Sequence, residues 1–164
     1  PRFVGLFDSI VGINNMMQKI SITRAFARLM LALISISAAL PSHAHEYYAD
    51  GFTVVHPWGE ASDPAVRDAP IFMTIESISK NDRLLSAYTS LADRVELRAG
   101  PDTGAPPLAS IAITAGQDMA FKADQAHLLL KGLKAPLEWG RSYSMGLKFE
   151  RAGVVNVMVS VGAH

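Results

Sequence analysis

Past residue 45 the apolar and polar positions alternate with a period of two, and no segment there keeps a helical period beyond about two turns. The longest alternating runs are Tyr143 to Glu150 and Val154 to Val161, joined by Arg151-Ala152-Gly153, a pattern that predicts a hairpin. Arg94 to Arg98 alternates as cleanly, with Val95 and Leu97 on one face and Arg94, Glu96 and Arg98 on the other. Shorter β-prone runs fall at Gly51 to His56, Ile71 to Ile78, Leu84 to Tyr88, Ser110 to Thr114, Met119 to Lys122 and His127 to Lys131. Pro57 is expected to interrupt the first of these, and Glu60 to Pro70 reads as a polar loop. Ser79 to Asp82 supplies a turn, Ser90 to Asp93 has room for one helical turn, and Ala99 to Pro107 is too rich in Gly and Pro to hold a ladder. Eight or nine short strands with closely spaced turns predict an all-β antiparallel sandwich or barrel. With no internal repeat, one domain is the economical reading.

The N-terminal third has a different pattern. Leu29 to Leu40 is an unbroken run of apolar and small residues, shorter than the ~20 residues that span a bilayer comfortably. Lys19, Arg24 and Arg28 precede it, and Pro41-Ser42-His43-Ala44 follows, with small side chains at the −3 and −1 positions of a cut after Ala44. A basic start, a short apolar middle and a small-residue exit make the layout of a secretory signal peptide. The expected organisation is an over-extended start at 1–15, a signal peptide at 16–44 and a periplasmic domain at 45–164. An uncleaved membrane anchor and a buried helix are the alternatives for the apolar run.

Composition narrows the function classes. Residues 45–164 hold 14 acidic and 11 basic side chains, a net charge near −3, and no basic stripe. Nucleic acid and anionic membrane surfaces are therefore poor partners, and no membrane span is expected after cleavage. The 164 residues contain no cysteine, which removes disulfides, thiolate metal sites and cysteine nucleophiles. Neither a Gly-x-Ser-x-Gly elbow nor a His-Glu-x-x-His pair nor a phosphate-binding glycine loop is present, so no enzyme is expected.

Two segments carry a resemblance. The first is Val54-Val-His-Pro-Trp58, followed after a polar loop and a strand by Asn81-Asp-Arg-Leu84. The second combines Ile113-Thr-Ala-Gly116, His127-Leu-Leu-Leu-Lys-Gly-Leu-Lys134, Pro136-Leu-Glu-Trp-Gly140 and Leu147-Lys-Phe-Glu-Arg-Ala-Gly153. In order and spacing these resemble the PCu(A)C periplasmic copper chaperones over roughly residues 45–161. The resemblance implies a cupredoxin-like Greek-key β-sandwich that carries Cu(I) toward cytochrome oxidase or another copper-receiving protein. It also implies a ligand set of one His, a Met some ten residues on, and a His-x-Met about twenty residues beyond. Thioether sulfur is soft and selects Cu(I), while imidazole accepts either copper state.

Most of that set is replaced here. The strand that ends in the first His reads Glu96-Leu97-Arg98, and a guanidinium has no lone pair to give a metal. No methionine stands between Met73 and Met119, and the His-x-Met reads His127-Leu128-Leu129. His127 is the one ligand kept; Arg98 and Leu129 occupy two of the replaced positions. His127 is either a residual ligand or a histidine hydrogen-bonded at the mouth of the sandwich. Arg98 reads most simply as a solvated strand residue paired with Glu96 or Asp102, and alternatively as an anion-binding group beside His127. Met119 reads as core or as a rebuilt ligand, and Met145 and Met158 as packing residues. His56 is expected at a strand end, with Trp58 supplying buried area. His45 would be N-terminal after cleavage, its amine and imidazole able to chelate Cu(II), and His164 would join it if the chain ends meet. Two functions follow: a copper chaperone or copper-binding protein with a degenerate site, or a non-metal binding or scaffolding module that keeps the fold.

Overall fold

Ten strands account for the alternating runs: β1 (Glu46–Ala49), β2 (Phe52–Gly59), β3 (Asp68–Glu76), β4 (Asp82–Tyr88), β5 (Ala92–Arg98), β6 (Ile111–Ile113), β7 (Met119–Phe121), β8 (His127–Leu133), β9 (Ser142–Phe149) and β10 (Val154–Val161). They are seen in a computed structural model that describes residues 45–101 and 104–162. The expected signal peptide and the start before it lie outside the described residues, as do Asp102 and His164. The described residues are all-β, as the alternation predicts, and among them no helix is long and apolar enough to cross a membrane.

The strands follow one path, β5-β8-β3-β2-β10-β9-β4-β6, with β1 added to β2 and β7 to β3. Every pairing is antiparallel except β2 with β10, which run parallel through Ser160↔Trp58 and Val161↔Gly59. The fold is thus the expected antiparallel sandwich, with one parallel pair among its described strands. The path encloses one core. Leu97, Leu128 and Ile71 from the β5-β8-β3 side and Leu84, Leu147 and Val157 from the β4-β9-β10 side belong to the same buried cluster. Met145 is buried in that core as expected, whereas Met158 faces outward.

Local departures from the expected strands have identifiable causes. β2 does not stop at Pro57. Between Val55↔Thr74 and Trp58↔Phe72 it carries one extra residue, and His56 takes the left-handed conformation there, with φ 51°. A β-bulge of this kind shifts the alternation by one, so Pro57 turns inward and Trp58 joins the outer face opposite Phe72. Proline, which has no N–H for the ladder, is tolerated at such a position. Ala92 begins β5 directly, so Ser90–Asp93 forms no helical turn. The β9–β10 hairpin closes through Phe149 N–H to the Gly153 carbonyl at 2.7 Å, with Gly153 at φ 76°, a conformation glycine adopts without a steric penalty.

Asp82 fastens that hairpin to β4. Its carboxylate accepts the backbone N–H groups of Arg83 at 2.6 Å, Arg151 at 3.0 Å and Ala152 at 2.9 Å. The residue is 9% exposed. Burial pushes its carboxyl up, but the bonds from Ala152, Arg151 and Arg83 outweigh burial and hold it below the ordinary aspartate value.

Candidate functional site

The positions singled out by the copper motif meet on the outer face of β5 and β8. The two strands pair with Arg98 directly opposite His127 and Glu96 directly opposite Leu129. Directly opposed residues project to the same face with Cβ atoms about 5 Å apart. β3 continues the rows: Pro70 lies opposite Leu129, and the Phe72 ring lies 6.2 Å from the His127 imidazole. One row therefore runs Arg98, His127, Phe72 and Trp58, the last two rings 4.9 Å apart. The next runs Glu96, Leu129 and Pro70, and the third Arg94, Lys131 and Asp68.

Burial separates these rows. Arg98 is 4% and His127 6% exposed, and with Asp82 they are the buried polar residues among those described. The expectation of a solvated Arg98 is thus corrected. Strand alternation does place it on the outer face, yet that face is covered at Arg98; just beyond, Leu108 N–H donates to the Leu97 carbonyl at 2.8 Å. The expected partner is correct: Arg98 Nη1 lies 3.4 Å from Glu96 Oε2, while Arg94 holds the other carboxylate oxygen at 2.9 Å. Glu96 thereby links an exposed arginine to a buried one. His127 Nδ1 lies 3.1 Å from the Gln125 carbonyl. A carbonyl oxygen only accepts, so Nδ1 carries the hydrogen and the lone pair of the neutral ring belongs to Nε2.

In the third row, the hydrogen bond from Lys131 lowers the Asp68 carboxyl. Partial burial opposes it, and the Gly132 N–H at 3.3 Å adds to the lowering. Both side chains are partly exposed, so solvent screens the pair and limits its contribution to stability.

The remaining candidates are dispersed. Met119 lies opposite Ile75 on β3, on the inner face, and is packed against the core; His127 belongs to the outer face. His45 is exposed, and its backbone carbonyl accepts the His56 N–H at 2.9 Å at the start of β1. Among the described residues no three His, Asp or Glu side chains converge as a metal-holding group. The donor set around His127 consists of a guanidinium, a leucine and a carboxylate already bonded to two arginines, and it does not fit a soft cluster for Cu(I). Asp82 and the bulge at His56 are not among the features that the sequence predicts. An Asn-Asp pair entering a strand signals the first through its tendency to bind nearby backbone N–H groups; the second has no signal apart from register.

Comparison with known proteins places this geometry in context. Residues 52–161 match the family described as "Putative lipoprotein LpqE-like". A protein of Leifsonia xyli subsp. xyli, "Putative lipoprotein Lxx21020", is 27% identical over 143 residues, covering 82% of this chain and 85% of its own length. Among solved structures, the apo PCuAC domain from PmoF1 superposes with a TM-score of 0.67 at 23% identity, covering 73% of this chain and 100% of that domain. The copper-bound PCuAC domain from PmoF2 gives 0.65 at 22% identity, covering 73% and 99%. The fold is that of the PCuAC domains.

Proposed function

We propose, for a chain that belongs to the LpqE-like family and has the PCuAC fold, that it works outside the cytoplasm as a binding module in which protein contact has replaced tight Cu(I) ligation. Its partner in this reading is a copper-receiving protein such as a respiratory cytochrome oxidase. The observation that carries the proposal is the buried Arg98 guanidinium held by Glu96 directly opposite His127. A fixed cation in that row disfavours a second, metallic cation by Coulomb repulsion at short range, and the repulsion is strongest where water is excluded. Export rests on the signal-like layout of residues 16–44 and on the lipoprotein family.

A second reading is favoured by the retained His127 and by the copper-bound state of the PmoF2 domain: a copper chaperone with a degenerate site. Copper would then be cargo, held weakly by His127 with the terminal histidines His45 and His164. Co-purification separates the two. Tagged protein should recover the oxidase equally from membranes prepared with and without a copper chelator. Recovery that depends on copper would favour the chaperone, and no recovery in either state would remove the partner from the account.

A further inference from the structure

The bulge in β2 builds a cavity that neither the copper motif nor the family match assigns. Without the extra residue, Trp58 would fall on the opposite face from Val55; with it, both face outward against β3. The result is a cleft of about 420 Å³ lined by His56, Trp58, Glu60, Phe72, Thr74, Ala120 and Lys122. A non-glycine residue in the left-handed region costs about 1–3 kcal/mol and persists where the surroundings enforce it. Here that strain sets an indole on the outer face, tilted 51° against Phe72 with centroids 4.9 Å apart. Phe72 also touches the His127 ring, so the cleft and the Arg98 row share a wall.

We infer that this cleft is the anchor pocket for an aromatic side chain of a protein partner. The inference rests on the binding-module reading above and names the chemistry of its contact. Three features select the occupant. Aromatic and apolar walls of this size accommodate one ring, and rings pack well tilted or edge-on against indole and phenyl faces. Two exposed side chains of opposite sign, Lys122 and Glu60, are among the residues that line the cleft. They complement a partner loop with an acidic and a basic residue flanking its aromatic one. A buried aromatic anchor inside a polar rim is the arrangement that concentrates binding energy in protein interfaces.

The test uses the full chain with Trp139, which is 67% exposed, changed to Phe, so that Trp58 is the sole indole. Its fluorescence is titrated with N-acetyl-L-phenylalaninamide. A saturable change with a Kd on the order of a millimolar is expected for so small a probe, with none for N-acetyl-L-alaninamide. Ala120→Phe should fill the cleft and weaken binding at least tenfold, judged at unchanged circular dichroism. Glu60→Arg, at an exposed position, gives an arm independent of folding. It should weaken N-acetyl-Phe-Lys-amide at least threefold relative to N-acetyl-Phe-Glu-amide.

A silent Trp58, an equal response to the alanine probe, or indifference to both variants would overturn the assignment. Phenylacetate binding tenfold tighter than the neutral amide would also overturn it, in favour of a small carboxylate ligand. Oxidase recovery with a silent titration removes only this pocket; a responsive titration without recovery removes the partner and leaves the pocket.

Discussion

Two buried polar sites in this protein have similar burial and opposite character. At Asp82 one carboxylate receives three backbone N–H groups and ties β4 to the β9–β10 hairpin. Its bonding is local and complete, and it explains why a charge is tolerated at 9% exposure. In the Arg98 row a guanidinium, which is always a cation, faces an imidazole, with one carboxylate shared between two arginines. Stability alone gives no reason for that arrangement. A charge buried among hydrogen bonds is a fastening; a guanidinium buried beside an imidazole is the feature on which the binding-module proposal rests. Burial and polarity do not separate the two; the neighbouring groups do.

The largest effect should come from breaking the fastening. Asp82→Ala removes the acceptor of three bonds and leaves the Arg151 and Ala152 N–H groups unpaired, at a cost of about 3 kcal/mol in urea unfolding. Acid should do the same in wild type. The folded carboxyl lies below its ordinary value. Its contribution is therefore complete above the unfolded pKa of about 4 and is lost as pH falls through the folded value. Stability measured from pH 5 downward should decline less steeply in Asp82→Asn than in wild type.

Changes in the other site should matter less to stability and more to chemistry. Arg98→Met removes a buried guanidinium but leaves Glu96 paired with Arg94, and should cost about 1–2 kcal/mol by the same assay. Leu129→Met conserves volume and should cost under about 1 kcal/mol. Combined with Arg98→His, it should raise Cu(I) affinity above that of wild type, read by competition with a chromophoric chelator; no gain would mean that the two positions do not act on one pocket. Lys131→Gln, in the exposed row, should change stability by under about 0.5 kcal/mol, and a larger loss would refute the ranking of the rows by burial.

The features readable in the sequence were those that depend on alternation. The pattern placed Val154–Val161 and the hairpin before it, because eight alternating residues need no partner to be recognised. It missed β1, whose Glu46-Tyr-Tyr-Ala is short and half exposed. It also read Pro57 as a stop, because a bulge exists only relative to the opposing strand. The site divided in the same way. The resemblance to the copper chaperones singled out Arg98, His127 and Leu129, and the ladder sets the first two opposite one another. The burial of Arg98 is invisible in the sequence, because alternation assigns a residue to a face and does not say whether that face is covered.

The central claim is that the Arg98 row no longer holds copper tightly. Anaerobic titration of the wild-type protein with Cu(I) against a competing chromophoric chelator tests it most directly. The account predicts that the chelator keeps the metal, with no stoichiometric transfer to the protein. Tight uptake of one Cu(I) per chain, lost in His127→Ala, would contradict it and restore the chaperone reading.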